Sequence, residues 1–307
     1  MKKRQLGQSD LYVSEIGLGC MSIGTNKNEA AKIIDTALDG GINYLDTADL
    51  YDQGMNEEMI GDIIKSKRKE LIIATKAGNR FEKGNEGWTW DPSKKHIQAA
   101  VKDSLQRLKT DYIDLYQLHG GTIEDNIDET IEAFEELKQE GIIRYYGISS
   151  IRPNVIKEYV KRSSIISIMM QYSLLDRRPE ELFPLLEQHK VSVVARGPLA
   201  KGILTERPLT QLSKAIAANG YLDYSFDELI TLRNQLEEGL EGKRTLQSAA
   251  LKYCLSSSVI ASVVAGASNP QQIEESIEAV NDEPLTENEQ EWLARVSKPN
   301  KYEQHRS

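Results

Sequence analysis

The sequence predicts an α/β fold, a closed barrel of parallel strands surrounded by helices, and two observations support this prediction. Short apolar, strand-like runs alternate eight times with amphipathic stretches whose apolar residues recur with helical periodicity. Parallel strands need a crossover over one face of the sheet, and eight successive strand–helix units favour closure into a (β/α)8 TIM barrel. Barrels of this kind reach 307 residues as one unit, so residues 1–307 are expected to form a single domain.

The expected elements follow one another in a regular order. An N-terminal hairpin is predicted over residues 4–14, and an additional C-terminal helix over residues 286–296, after which the polar residues 297–307 are expected to be mobile. The apolar face within residues 30–38 indicates the first barrel helix, and Gly40–Gly41 mark its end. The eight predicted barrel strands are residues 15–19, 42–46, 71–76, 112–119, 143–149, 165–171, 191–196 and 262–266.

A doubly wound sheet is the weaker alternative. It would carry G-x-G-x-x-G after its first strand, whereas residues 17–22 read Gly-Leu-Gly-Cys-Met-Ser and lack the third glycine. Long connections in a compact barrel are usually functional, and one of them carries Trp88 and Trp90, which either wall a substrate pocket or pack the loop onto the barrel. The three long connections are residues 77–92, 120–126 and 197–224.

Composition narrows the class of function. The net charge of −9 argues against non-specific binding to nucleic acid or to an anionic membrane, and favours a small-molecule partner. The basic start is followed by polar residues instead of a signal sequence, and no run approaches the roughly 20 apolar residues of a membrane span. Cys20 and Cys254 lie far apart without metal-ligand spacing, as expected for structural thiols in a reducing compartment. We therefore expect a cytoplasmic protein.

Four ionisable residues stand at or just after the ends of strand-like runs: Asp46, Tyr51, Lys76 and His119. If the strands lie parallel in one closed sheet, these side chains meet at one rim of the barrel. A lysine ammonium at hydrogen-bonding distance would stabilise a tyrosine phenolate and lower the pKa of the phenol. Asp46 would hold the lysine charged and in place, and His119 could orient a substrate oxygen. The set predicts a proton donor facing a site where negative charge develops on oxygen.

A carbonyl group that receives a hydride needs such a donor, because its oxygen becomes an alkoxide. No G-x-S-x-G sequence is present for acyl transfer, and the other histidines, His96, His189 and His305, fall in helical or tail stretches that suggest no metal site. The hydride source would then be an organic cofactor, of which a nicotinamide dinucleotide is the simplest.

The residues around this set closely resemble the aldo-keto reductase superfamily, in particular bacterial members with an arginine at the nicotinamide-stacking position. The likeness runs from residue 6 to residue 268, and it is most specific in residues 43–51, 74–76, 104–108 and 111–119. It implies a (β/α)8 barrel and NADPH-dependent reduction of a small-molecule carbonyl substrate. It also implies that Tyr51 is the general acid, that Lys76 and Asp46 tune it, and that His119 orients the substrate.

The resemblance also implies where the cofactor lies, with Ser149 and Gln171 bonding the carboxamide. Three departures from the family pattern bear on cofactor binding. Ser150 replaces an asparagine, and Arg196 replaces an aromatic residue that stacks on the nicotinamide. Residues 268–272 lack the cation that usually binds a 2′-phosphate. Lys201 or Arg207 could bind phosphate instead, so NADPH is expected to be preferred over NADH by a smaller margin than usual. The implied cofactor residues are Gly19, Cys20, Met21, Asp46, Ser149, Gln171, Arg196, Gly197, Pro198, Leu199, Lys201, Gly266, Ser268, Gln272 and Glu275.

Two other functions stay open on the sequence. The first is a regulatory subunit that binds the cofactor and turns it over slowly, since the same four residues would be present. The second is a metal-dependent hydrolase that uses Asp46, Asp49 and His119 as ligands. The physiological substrate and the oligomeric state are not readable from the sequence.

Overall fold

A computed structural model describes residues 1–306 of the chain. Eight of its strands form one closed parallel barrel, which confirms the predicted fold class. Each predicted barrel strand is present, with bounds within two residues of the expectation and identical for Ile143–Ser149. In chain order the strands are β1 (Lys3–Gln5), β2 (Tyr12–Ser14), β3 (Ile16–Gly19), β4 (Tyr44–Asp46), β5 (Ile72–Ala77), β6 (Asn79–Arg80), β7 (Thr89–Trp90), β8 (Ile113–Leu118), β9 (Ile143–Ser149), β10 (Ser167–Gln171), β11 (Ser192–Arg196) and β12 (Ile260–Gly266).

Helices connect the barrel strands and cover the outside of the sheet. Most begin at a side-chain cap: Asn26 accepts from the backbone at the start of the first helix, and Thr286 forms a capping box with Glu289 at the last. The helices are α1 (Lys27–Asp39), α2 (Met55–Ile64), α3 (Lys94–Leu108), α4 (Ile127–Gln139), α5 (Pro153–Arg162), α6 (Phe183–Gln188), α7 (Lys214–Asn219), α8 (Phe226–Leu240), α9 (Leu246–Leu255), α10 (Pro270–Asn281) and α11 (Glu287–Val296).

The N-terminal hairpin β1–β2 contributes to the interior of the barrel. Its apolar residues Leu6, Leu11 and Val13 are buried with inward-facing barrel residues such as Leu115 and Val194, in a core separate from the one beneath the outer helices. Apolar burial of this kind contributes about 25 cal/mol for each Å² removed from water. The hairpin therefore fills the barrel with side chains from outside the eight strands.

Strand register aligns three of the four predicted site residues. Asp46 at the end of β4 pairs with Ala74 of β5, and Lys76 lies two residues farther along, on the same side of that strand. Lys76 pairs in turn with Gln117 of β8, two residues before His119. Because side chains alternate across a strand, this register directs Asp46, Lys76 and Gln117 into the same end of the barrel.

Two segments differ from the sequence expectation. The connection after β5 is not an irregular loop, because β6 and β7 pair as a short antiparallel hairpin that carries Trp90. Residues 297–306 of the polar end pack against the barrel instead of extending freely, and Ser307 lies outside the described residues: Tyr302 is 5% exposed, and the carbonyl of His305 accepts from the Asn154 amide at 2.9 Å. Tyr302 is the one large apolar side chain among residues 297–306, and helical or strand periodicity does not detect it.

Across residues 1–306, no helix combines the length and the apolar character needed to span a membrane. Cys20 and Cys254 are both buried free thiols.

Candidate active site

The four residues predicted from the sequence lie together at the carboxyl end of the barrel. Lys76 Nζ lies 2.6 Å from Asp46 Oδ1 and 2.7 Å from the carbonyl oxygen of Thr47. The same ammonium lies 3.5 Å from the hydroxyl oxygen of Tyr51. The imidazole of His119 meets the Tyr51 ring edge-on, with ring centroids 6.0 Å apart. The phenol therefore stands between a cation and an imidazole.

Burial dominates the proton affinities of this group. Desolvation raises the pKa of Tyr51 above its ordinary value, and the nearby Lys76 ammonium opposes this without reversing it. The sequence predicted that Lys76 would lower the pKa of Tyr51. Lys76 does act in that direction, but burial has the larger effect, so the pKa of Tyr51 is raised overall. Burial alone would lower the pKa of Lys76, but Asp46 and Tyr51 outweigh it and raise the pKa. The site thus holds an ammonium beside a protonated phenol.

His119 is held in its neutral form. Burial, together with the charges of Lys76 and Arg196, lowers the pKa of its imidazole to about 3. Its Nδ1 atom is buried and has no hydrogen-bond partner among residues 1–306. A neutral imidazole carries one N–H donor, which suits it to bind a carbonyl oxygen without supplying a full positive charge.

A second layer of polar residues lies behind these four. Gln117 Nε2 donates to Asp46 Oδ2 at 3.5 Å, and Glu57 accepts from Thr75, Ser104 and Arg107. The sequence reasoning missed Gln117, although its position two residues before His119 places both on one face of the strand. Gln117 thus contacts Oδ2 of the Asp46 carboxylate, while Lys76 contacts Oδ1.

Asp49 belongs to this second layer and not to the group of four predicted residues. It is 2% exposed, and its Oδ1 atom has no hydrogen-bond partner within the described part of the chain. Desolvation, with repulsion from Glu57, raises the pKa of Asp49 to about 8. Residues 1–306 contain no group of three or more histidine, cysteine, aspartate or glutamate side chains that could hold a metal ion. Asp46, Asp49 and His119 therefore do not form the metal site considered from the sequence.

A cavity of about 940 Å³ opens above the phenol and the imidazole. Trp88 and Trp90 both line it, so the two tryptophans do wall a pocket at the barrel mouth. Trp90 also packs the loop onto the barrel: its Nε1 donates to Asp125 at 2.9 Å, and its ring leaves no room for a Cβ at Gly78. Residues 301–305 of the C-terminal segment line the same cavity. We call it the substrate cavity.

A second cleft, of about 450 Å³, meets the substrate cavity at Tyr51. Met21, Met169 and Arg196 line both spaces, so the phenol stands at the junction of the two. The sequence-predicted cofactor residues in this cleft are Gly19, Met21, Asp46, Gln171, Arg196, Gly197, Pro198, Leu199, Lys201, Gly266, Gln272 and Glu275. We call it the cofactor cleft.

Three predicted cofactor residues lie outside this cleft. Cys20 is fully buried in the apolar core, in the short helical turn Cys20–Ser22 that directly follows β3. Ser149 at the end of β9 lines the substrate cavity instead. Ser268 hydrogen-bonds to the side chain of Gln272 at 2.9 Å and does not line the cleft.

Sequence reasoning also missed several lining residues. Some of them, such as Thr205 and Tyr221, belong to the long connection 197–224, whose length already indicated function. Gln247 comes from α9 and has no sequence signal. The missed residues are Ser22, Met169, Gly202, Thr205, Tyr221, Gln247, Val264, Ala265 and Ser276.

The walls of the cleft match an elongated anionic ligand. The side chain of Gln171 is fixed, because it donates to Asp176 at 2.9 Å and accepts from Arg196 at 3.1 Å. Lys201 has a left-handed backbone (φ 58°), and neither it nor Arg207 forms an ion pair with residues 1–306. Unpaired cations along a narrow cleft fit the phosphates of a dinucleotide. The residues present thus fit a nicotinamide dinucleotide.

The far end of the cofactor cleft opens into an outer space of about 890 Å³, and the charged side chains that line this space are mainly acidic. Arg207 is the one cation in its lining. The acidic residues there are Glu206, Glu275, Glu278 and Asp282. The N-terminus of α10, capped by Asn269, borders the same space, and such a terminus favours phosphate.

Fold and site together define a barrel oxidoreductase, and the comparisons with known proteins identify its family. The chain belongs to the Aldo/keto reductase family, whose model matches residues 15–298. It is 63% identical over 307 residues, the full length of both proteins, to the "Uncharacterized oxidoreductase YqkF" of Bacillus subtilis (strain 168).

Two further relatives bear on the site. The structure of aldo-keto reductase AKR11C1 from Bacillus halodurans in its holo form superposes with a TM-score of 0.95 and 62% identity, covering all of both chains. The NADH-specific methylglyoxal reductase of Escherichia coli (strain K12) is 31% identical over 306 residues, covering 92% of this chain and 94% of that protein.

Proposed function

We propose that the protein reduces aldehydes or ketones to alcohols with a nicotinamide dinucleotide as the hydride source. One observation carries the proposal: the phenol of Tyr51, 3.5 Å from the Lys76 ammonium, stands where the substrate cavity and the cofactor cleft meet. A carbonyl carbon at this junction could receive hydride from one side while its oxygen faces the phenol. The reaction class follows from that arrangement.

Each site residue then has a definite role. The cofactor, when bound, supplies the hydride that forms the new C–H bond. Tyr51 donates its phenolic proton to the carbonyl oxygen, and the resulting phenolate is stabilised by Lys76 until solvent returns the proton. Asp46 keeps Lys76 charged and in position. His119, being neutral, donates one hydrogen bond that orients the carbonyl oxygen toward Tyr51.

The cofactor residues are proposed from the resemblance and their place in the cleft. The guanidinium of Arg196 would stack on the nicotinamide in place of an aromatic side chain, which would put the protein in the arginine-bearing subgroup. Gln171, already oriented by Asp176, would bond the carboxamide. Ser149, which lines the substrate cavity and not the cleft, is proposed to share this role on the resemblance alone. Lys201 would bind the pyrophosphate.

NADPH is the proposed preferred cofactor, by a small margin over NADH. Arg207 is the cation available to a 2′-phosphate at the outer end of the cleft, where α10 also presents its N-terminus. Glu275 and Glu278 in the same space oppose that phosphate by charge. Comparison of kcat/KM for NADPH and NADH tests the preference, and a ratio below about one contradicts it.

The proposed reaction is tested by a panel of aldehydes and ketones with NADPH oxidation as the readout. Wild type should oxidise NADPH in the presence of at least one carbonyl, in a manner unaffected by chelator. Tyr51→Phe should lower kcat/KM by orders of magnitude while NADPH affinity, measured by cofactor fluorescence, stays nearly constant. Near-wild-type turnover of this variant would refute the assignment of Tyr51. Tight cofactor binding with no brisk turnover on any carbonyl would favour the regulatory subunit.

A further inference from the structure

Arg152 lies in the substrate cavity with most of its guanidinium unused. The residue is the N-cap of α5, directly before Pro153, and it lines the cavity. Its Nη1 donates to the carbonyl oxygen of Gly121 at 2.6 Å, which ties it to the loop that follows His119. It forms no ion pair with residues 1–306. One bond therefore orients the planar group and leaves its other N–H donors free.

The cavity around Arg152 carries more positive than negative side chains, although the whole chain has a net charge of −9. The guanidinium of Arg178 is already bound to Asp176 through two hydrogen bonds of 2.7 Å. Besides the imidazoles of His119 and His305, the titratable side chains lining the cavity are Tyr51, Tyr302, Arg152, Arg178, Arg196, Lys301, Asp223 and Glu303. Arg196 reaches the cofactor cleft as well, and Lys301 has no side-chain hydrogen bond within residues 1–306. Among the described residues, Arg152 is therefore the oriented cation without a carboxylate partner that lines the substrate cavity alone.

Part of the remaining wall of the cavity is apolar and open. Trp88 is 57% exposed and Met21 is 65% exposed, and both line this space together with Trp90 and Ile151. Exposed large apolar side chains gathered at one rim mark a surface that a ligand covers. The cavity thus offers an apolar surface for the body of a substrate and a cation for a polar end.

We infer that the preferred substrates are aldehydes or ketones with an apolar body and an anionic group, a carboxylate in the simplest case, and that Arg152 binds this group. The inference rests on the proposed carbonyl reduction and adds the substrate class to it. Arg152 takes no part in the chemical step: it positions the substrate by charge-assisted hydrogen bonds, for which a guanidinium and a carboxylate have matching geometry.

A matched pair of aldehydes tests the substrate class. Wild type should reduce 4-formylbenzoate with a kcat/KM about tenfold or more above that for methyl 4-formylbenzoate, the scale of one charge-assisted hydrogen bond. Arg152→Gln should bring the ratio close to one, mainly through a higher KM for the acid, and Arg152→Lys should keep part of the preference. Lys157→Gln, on the same helix but outside the cavity, is the charge-matched control and should keep the wild-type ratio.

A binding measurement separates this inference from the proposed reaction. Quenching of tryptophan fluorescence gives the Kd of 4-(hydroxymethyl)benzoate and of its methyl ester in the presence of NADP+. The inference is supported if wild type binds the acid more tightly than the ester and Arg152→Gln loses this difference. This holds even if no aldehyde is turned over. Absence of turnover would contradict only the proposed function. Equal affinity of wild type and Arg152→Gln for the acid, or a wild-type kcat/KM ratio at or below one with active enzyme, overturns the inference.

Discussion

Lys76 Nζ lies 2.6 Å from Asp46 Oδ1 inside the barrel, with the two side chains only 1% and 5% exposed. Removing both charges from water costs several kcal/mol for each, and the short contact offsets this cost only while both partners are present. The pair is therefore poorly explained as a device for stability. Its geometry is explained by the third contact of the ammonium, to the phenol of Tyr51.

The first prediction concerns this pair. Asp46→Asn and Lys76→Met should each lower the free energy of unfolding by roughly 3–5 kcal/mol, because each leaves an uncompensated buried charge. The free energy of unfolding of the double variant should fall by clearly less than the sum of the two single losses. Urea denaturation of wild type, both single variants and the double variant measures this. Simple additivity would contradict the coupling. Lys76→Met should also lower kcat/KM by orders of magnitude, since the phenolate would lose its cation.

The second prediction concerns the protonation of His119. Because the pKa of its imidazole lies at about 3, kcat/KM should show no step near pH 6.5 that depends on this residue. His119→Gln should change the rate by a factor that varies among substrates, while the shape of the pH profile between pH 5.5 and about 8 stays the same. A wild-type step near pH 6.5 that disappears in His119→Gln would show that the imidazole titrates during turnover.

His119 should also affect stability at acidic pH. The pKa in the folded protein is about 3, against an ordinary value of 6.5, so between these values the unfolded chain binds a proton that the folded chain does not. Stability should therefore fall as the pH drops below about 6.5, by at most about 1.4 kcal/mol per pH unit. Urea midpoints at pH 7.5 and 5 should differ more for wild type than for His119→Gln.

Asp49 should have the opposite effect on stability. The pKa of its buried carboxyl is about 8, against an ordinary value of 3.8, so in that interval the folded protein keeps a proton that the unfolded chain has released. Stability from this residue is complete at low pH and falls as the pH rises toward 8, again by at most about 1.4 kcal/mol per pH unit. Asp49→Asn should thus become more stable relative to wild type between pH 5.5 and 8. The exposed Asp39→Asn serves as control and should show no such trend.

Local sequence predicted the barrel well because eight apolar runs alternate with amphipathic helical stretches along the chain. Asp46 and Lys76 could be placed in one site from the order of strands alone, since consecutive strands of a closed parallel barrel are neighbours and their carboxyl ends lie at one rim. Cys20 could not be placed, because its burial depends on packing between segments and not on the residue type. Contacts between segments far apart in the chain, such as Arg152 with Gly121, leave no periodic signal.

The contacts of the C-terminal segment, residues 301–306, likewise join parts far apart in the chain and leave no periodic signal in the sequence. The Tyr302 ring is buried against the guanidinium of Arg178, 5.1 Å from its centroid, and Arg306 binds Glu181 at 3.0 Å. Tyr302→Ala should release residues 301–306 from the barrel mouth, because the segment has no other large apolar anchor within the described residues. KM for carbonyl substrates should rise several-fold while NADPH affinity stays constant, since the segment lines the substrate cavity and not the cofactor cleft.

Limited proteolysis, read by mass spectrometry, should cleave the C-terminal segment faster in Tyr302→Ala than in wild type. Tyr302→Phe should behave as wild type, because the Tyr302 hydroxyl has no partner among residues 1–306. Equal cleavage of Tyr302→Ala and wild type would show that the ring does not hold the segment in place.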